Sequence, residues 1–90
     1  MNSHSEALAA AYRHALHHLD GLDSRPVAAT ASLHELRERL GVNLSTTGIP
    51  AGVVIDEMVA ATAGGHVGSA SGRFFAWVIG GALPSALAAD

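Results

Sequence analysis

RFFAWVIGGALPSALAAD, residues 73–90, contains both phenylalanines and the only tryptophan of the chain, and no charged side chain lies between Arg73 and Asp90. The run from Phe74 to Ile79 is apolar, rich in aromatic and β-branched residues, and has glycine on both sides. This pattern predicts a buried extended segment with both phenylalanines in the core. Pro84 then suits the first turn of a helix, because proline has no backbone N–H to lose there.

The preceding residues predict three helices. Two of them begin with a capping box, in which a serine oxygen and a glutamate three residues later satisfy free backbone donors: Ser3 to Glu6 and Ser32 to Glu35. Proline opens the third helix at Pro50. The pattern therefore predicts a mainly α chain with three helices, a short extended motif and the start of a fourth helix. We expect a helical segment at 1–63, followed at 64–90 by a glycine-rich loop, the motif and the first turns of the next helix.

The first helix is expected to run to about Leu19 or Leu22 and to carry one narrow apolar stripe. The stripe residues follow one another at spacings of three and four, which places them on one helix face: Leu8, Tyr12, Ala15, Leu19 and Leu22. A lone helix would leave this stripe exposed to water, so the stripe should pack against another apolar surface. One interpretation is an ordinary helix packed on its own core, and the other is an interface with a second chain.

Histidines are concentrated on the same helix at positions 14, 17 and 18. His14 and His18 are four residues apart and share a face, but a metal site needs further ligands, and spacing does not place His34 or His66 nearby. We therefore predict no metal site here. A polar helix face and a pH-sensitive docking of the helix both remain open. Asp56 and Glu57 are adjacent on the third helix and point about 100 degrees apart, so they are assigned to the surface rather than to an acid–base pair.

Composition excludes several classes of protein. Ninety residues allow one small domain, and the formal net charge of −3 gives no electrostatic case for binding nucleic acid. The chain has no cysteine and no signal-peptide pattern, which favours a cytoplasmic location. The uncharged run 74–89 is shorter than the roughly 20 apolar residues that a membrane span requires, and it is interrupted by glycine and proline. We predict neither a nucleic-acid nor a membrane partner.

The motif at 73–90 resembles the N-terminal motif of the pyridoxal-phosphate-dependent amino-acid decarboxylases, the group that includes the aromatic-amino-acid, histidine, tyrosine and glutamate decarboxylases. The Arg25-Pro26-Val27 phrase after the first helix is a further point of resemblance. The family often has a His-Pro pair just before the Arg-Phe-Phe, where this chain has Ser71-Gly72. The resemblance covers nearly all ninety residues, but only the N-terminal part of that family's chain.

The resemblance implies that the complete enzyme has the α/β fold of the fold-type-I pyridoxal-phosphate enzymes and is a homodimer. It implies that the first helix packs against the partner subunit through the stripe from Leu8 to Leu22. It also implies that one wall of the amino-acid substrate site is formed by Trp77, Val78, Ile79 and Gly80.

The absence of lysine limits what this chain can do. Its five basic residues are all arginine, and a pyridoxal-phosphate enzyme needs a lysine amine to hold the cofactor as a Schiff base. We therefore expect pyridoxal 5′-phosphate in the complete enzyme, no covalent binding by this chain and no catalytic residue within it. The short helix before Asp90 has no stop signal, so the natural chain is expected to continue. The alternatives are a stand-alone helical protein–protein interaction module and a degenerate gene remnant.

Overall fold

The computed structural model describes residues 3–75 and 81–90 and contains four helices in this part of the chain. The helices are α1 (Ser3–Asp20), α2 (Leu33–Leu40), α3 (Ala51–Thr62) and α4 (Pro84–Ala89). No β-strand occurs within the described ranges. The prediction of a mainly α chain with a fourth helix starting at Pro84 is confirmed.

The predicted helix ends are confirmed in α2, where side-chain and backbone caps are both formed. The Ser32 hydroxyl accepts a hydrogen bond from the Glu35 backbone N–H at 3.1 Å, which satisfies one free donor of the first turn. At the other end, the Gly41 backbone N–H donates to the carbonyl of Arg37 at 2.8 Å. These are short-range interactions between residues three or four apart, which explains why sequence predicts them.

The connection between α1 and α2 is held against the loop that follows α3. The backbone N–H groups of Thr30 and Ala31 both donate to the Gly64 carbonyl, at 2.8 and 2.9 Å, and Gly68 donates to the Val27 carbonyl at 2.7 Å. Gly64 has a φ of +80°, a conformation that disfavours any residue with a Cβ. A Cβ built on it would also lie 3.0 Å from the Cβ of Ala31, a tight contact that adds to the preference for glycine.

Helices α1 and α3 pack against each other through small residues. Ala10 of α1 is completely buried, and Ala7 is half-buried one turn earlier. On α3, a Cβ added to Gly52 would lie only 3.5 Å from the Glu6 carbonyl oxygen. Because alanine and glycine project little from the helix surface, the two backbones can approach closely along this face.

This packing does not use the predicted stripe in full. Leu8 is 70% exposed and Tyr12 is 65% exposed, and Ala15 is also exposed, whereas Leu19 and Leu22 are half-buried. The interpretation of α1 as a helix that covers its apolar stripe on its own core is therefore wrong for the N-terminal half of the stripe. The alanine face of the helix takes that place, since it permits the closer approach.

The buried core of the described chain is very small. Ala10 is its one buried apolar residue. The accessible surface is 7075 Å², compared with about 4900 Å² for a compact protein of this mass. The radius of gyration is 15.2 Å, compared with about 12 Å for a compact chain of ninety residues. The fold thus leaves a large apolar surface available for contact.

The two phenylalanines have different environments. Phe74 is half-buried, whereas Phe75 is 87% exposed. The prediction that both lie in the core is therefore wrong for Phe75. Phe74 follows the turn at 70–73, and its N–H donates to the Ser71 carbonyl at 3.2 Å. The Phe75 ring is not covered by any residue in the described part of the chain.

We expect Ala10→Leu to lower the free energy of unfolding by about 1–3 kcal/mol, because the added atoms must force the α1–α3 contact apart. Ala11→Leu is the matched control, since Ala11 is exposed on the same helix and should change stability little. Urea unfolding followed by circular dichroism measures both. Equal effects of the two substitutions would contradict the close contact at Ala10.

Candidate functional site

The substrate-wall residues predicted from the resemblance, Trp77, Val78, Ile79 and Gly80, lie outside the described residues. Two described residues near this stretch, Phe74 before it and Gly81 after it, lie close to the turn at 70–73. On one side the Phe74 N–H donates to the Ser71 carbonyl at 3.2 Å. On the other, a Cβ built on Gly81 would lie 3.8 Å from the Ala70 carbonyl oxygen.

Arg73 attaches this turn to the chain that leaves α1. Its Nη2 donates to the carbonyl oxygen of Leu22 at 3.0 Å and to that of Arg25 at 2.5 Å. Its own backbone N–H donates to the hydroxyl of Ser71 at 3.2 Å, and Ser71 is buried, with 7% of its surface exposed. A guanidinium suits this position because it presents several donors in one plane and is always charged.

Arg25 makes a similar contact with α1 itself. Its Nη2 donates to the carbonyl oxygen of His18 in the last turn of α1. The last carbonyls of a helix lack partners within the helix and carry partial negative charge, so a cation is favourable there. We refer to Arg25 and Arg73 together, with the carbonyls of His18, Leu22 and Arg25 that they bind, as the arginine clamp.

Leu22 belongs both to the apolar stripe and to the arginine clamp. Its carbonyl accepts from Arg73, and its Cδ2 lies 3.9 Å from the position that a Cβ on Gly68 would occupy. The C-terminal end of the stripe is therefore in contact with the loop that carries the motif. The N-terminal end of the stripe, at Leu8 and Tyr12, is exposed to solvent.

The histidines of α1 separate into two environments. His14 Nε2 lies 2.6 Å from Oδ1 of Asp56 on α3, and Arg13 Nη2 lies 3.9 Å from the same oxygen. Asp56 is on the surface, as predicted, with 49% of its side chain exposed. Its pairing with His14 was not predicted, because the two are 42 residues apart in sequence.

His18 faces His66, with the ring centroids 6.5 Å apart and the planes at 74°. Partial burial of the ring lowers the pKa of His18 below its usual value, and the nearby Arg25, His66 and His17 lower it further. Sequence spacing gave no signal that His66 would meet this helix. Within residues 3–75 and 81–90, no three histidine, aspartate or glutamate side chains form a group that could hold a metal ion.

Two grooves flank α3. One, of about 470 Å³, lies between α2 and α3 and is lined by Arg39, Leu40, Val42, Val54, Glu57 and Met58. The other, of about 490 Å³, lies between α1 and the start of α3 and is lined by Glu6, Ala9, Arg13, Pro50, Gly52, Val53 and Asp56. Both are open to solvent and combine apolar walls with charged rims.

The side chains of this chain do not fit covalent binding of pyridoxal phosphate. All five basic residues are arginines, whose guanidinium groups stay protonated, so no amine side chain is present. No chemical step that involves pyridoxal phosphate is therefore assigned to this chain. Among the described helices, none is long and apolar enough to cross a membrane.

Comparison with known proteins gives no assignment: no family model, no curated protein and no solved structure matches the chain.

The lowered pKa of His18 predicts a direction for the pH dependence of stability. The folded chain binds a proton at His18 less readily than the unfolded chain, so this contribution is complete above the unfolded pKa of about 6.5. It is lost as the pH falls from there through the lower folded pKa. The free energy of unfolding, measured in urea between about pH 8 and about pH 5, should therefore decrease.

His18→Gln should make that decrease smaller. His4→Gln is the control, because His4 is exposed near the start of the same helix, and it should leave the pH profile close to that of the parent chain. An unchanged profile in His18→Gln would show that protonation of this ring does not oppose folding.

Proposed function

We propose that this chain is the N-terminal segment of a pyridoxal-phosphate-dependent amino-acid decarboxylase, and that it contributes dimer contacts and part of the substrate cleft. The motif at 73–90 suggests the family. The observation that carries the proposal is the uncovered part of the α1 stripe in a chain whose described part buries one apolar residue. Such a chain has surface to offer and little core of its own, which is typical of a segment that is completed by other parts of a larger assembly.

The resemblance suggests a role for each part of the chain. The stripe from Leu8 to Leu22 would pack on the partner subunit of a homodimer. One wall of the substrate cleft would be formed by Trp77, Val78, Ile79 and Gly80. The cofactor and the groups that act on the α-carboxylate would be held by residues outside this chain, so its contribution to the reaction is binding and shape. We place the complete enzyme in the cytoplasm.

A second candidate is a stand-alone helical module that binds a partner protein. The same exposed residues of α1 favour it, together with the two grooves beside α3. It differs from the first proposal in two measurable respects: the natural protein would have the size of this chain, and it would bind no pyridoxal phosphate.

The test is to isolate the natural protein from its source cells, determine its intact mass and assay it for pyridoxal phosphate and for release of carbon dioxide from amino acids. We expect a mass several times 9.1 kDa, bound cofactor and decarboxylation. The ninety-residue chain, incubated with pyridoxal phosphate and then reduced with borohydride, should retain no cofactor on a side chain, because it has no lysine.

A natural mass near 9.1 kDa without cofactor would refute the decarboxylase proposal and favour the binding module. Cofactor fixed by borohydride onto a side chain of the ninety-residue chain would refute the division of roles, in which residues outside this chain hold the cofactor. A protein with an added lysine tag serves as the positive control for the reduction.

We expect Leu8→Asp to weaken self-association of the chain at least about tenfold, because burying an apolar side chain of this size contributes roughly 1.5–3 kcal/mol and a carboxylate would oppose burial. Leu44→Asp is the matched control: Leu44 is 98% exposed, in the connection between α2 and α3. Sedimentation velocity over a range of concentrations measures the effect. Similar behaviour of the two variants would argue against the stripe as the interface.

A further inference from the structure

We propose that the arginine clamp, together with His18 and His66, forms a binding site for a phosphate group, either as the free ion or as part of a phosphomonoester. The site lies at the C-terminal end of α1, where the connection to α2 meets the loop after α3. It is made entirely of described residues of this chain and does not depend on the proposed function.

Four side chains that are cationic or can become so meet here from three segments of the chain: His18, Arg25, His66 and Arg73. The guanidinium of Arg25 lies against Gly21, with its Cζ 3.1 Å from the position that a Cβ would take. Arg73 binds the carbonyl of the next residue, Leu22, at 3.0 Å. The two guanidinium groups therefore lie beside neighbouring residues, and the His18 and His66 rings are in contact in the same region.

The described part of the chain provides no carboxylate partner for this cluster. The ion pairs within it involve other cations: Arg13, His14 and His34. Asp20 and Asp23 are near the clamp in sequence, but both are exposed, and neither forms an ion pair with it within the described residues. The chain as a whole has a formal net charge of −3. A local group of cations without a counter-charge attracts an anion from solution.

The pKa of His18 gives the sign of the field at this point. Partial burial lowers the pKa, and Arg25, His66 and His17 lower it further, so every charged group that contributes is a cation. A bound anion would act in the opposite direction and raise the pKa of His18, because an opposite charge nearby favours the protonated ring.

The carbonyl oxygens at the end of α1 would by themselves repel an anion, because they carry partial negative charge. The clamp binds three carbonyl oxygens in this region, those of His18, Leu22 and Arg25. In the described part of the chain all three bonds use Nη2, whereas a guanidinium has five N–H donors in one plane. Each arginine thus keeps donors on Nε and Nη1, a fork that suits two oxygens of one phosphate group.

The test is a titration of the ninety-residue chain with sodium sulfate, followed through the NMR signals of the histidine rings at constant ionic strength, at about pH 5.5 and about pH 8. Sulfate stands in for phosphate because its charge does not change over this range. We expect saturable shifts at His18 and His66, and none at His34 on α2. Binding should be about two- to fivefold tighter at the lower pH, the size expected for an exposed ion pair with a protonated ring.

Arg25→Met and Arg73→Met should each weaken sulfate binding at least about tenfold, the size expected for losing a hydrogen bond to a charged group. Arg73→Lys should bind with intermediate affinity, since lysine keeps the charge but not the planar fork. Arg37→Met, at an exposed position of α2, is the matched control and should stay within about twofold of the parent chain, as is usual for a surface substitution.

His66→Gln keeps the test decisive if an arginine variant fails to fold, because His66 is exposed in a loop. It should reduce the gain in affinity at the lower pH and leave binding at about pH 8 close to that of the parent chain. Shifts at His18 and His66 that do not saturate, or an equal response at His34, would overturn the proposal. So would an equal loss of binding in Arg37→Met and Arg73→Met.

Titrations with inorganic phosphate and with phenyl phosphate distinguish the two sources of the phosphate group. Tighter binding of phenyl phosphate would assign the site to a phosphomonoester, and equal or tighter binding of inorganic phosphate would assign it to the free ion. Failure of both to bind would overturn the proposal.

The anion site and the proposed function fail separately. Saturable binding in a natural protein that is small and free of cofactor would retain the site and refute the decarboxylase. Decarboxylation by a natural protein whose N-terminal segment shows no such binding would retain the function and refute the site.

Discussion

The close approach of α1 and α3 is the constraint on which the remaining structure depends. It is made by residues with almost no side chain, Ala10 and Gly52 among them, and it turns the alanine face of α1 inward. Once that face is buried, Leu8 and Tyr12 must point elsewhere, and His14 is brought within 2.6 Å of Asp56. The packing of α1 on α3 therefore determines both that Leu8 and Tyr12 are exposed and that His14 and Asp56 come into contact.

A small-residue contact has an energetic consequence as well. Burying apolar area stabilises a fold roughly in proportion to that area, and alanine contributes little of it. Hydrogen bonds also connect distant segments of the chain, at Gly64, Gly68 and Arg73. Such bonds fix geometry more than they add net stability, because the unfolded chain makes equivalent bonds with water. The result is a loosely filled fold with defined connections between its segments.

Sequence reasoning was accurate where the relevant interaction is local. The Ser32 cap, the Gly41 terminus and the start of α4 at Pro84 involve residues within four positions of one another, and all were predicted. The sequence-based predictions were wrong where burial or contact depends on residues far away in the sequence. Periodicity identifies the stripe on α1 but does not say which face another helix will choose, and hydrophobicity alone predicted a core position for Phe75, which is 87% exposed. The contact between His18 and His66 joins residues 48 positions apart, and no spacing rule reaches that far.

By itself, the sequence determined the helix boundaries and the absence of any lysine, because these follow from local backbone chemistry and from composition. Only the tertiary structure decided that α1 buries its alanines and exposes part of its larger apolar residues, that Asp56 meets His14, and that Arg73 spans to the carbonyls after α1. The physical reason is that capping energies depend on neighbours along the chain, whereas the choice of a packing face depends on how closely two backbones can approach. That distance is a property of both surfaces together, and neither helix encodes it alone.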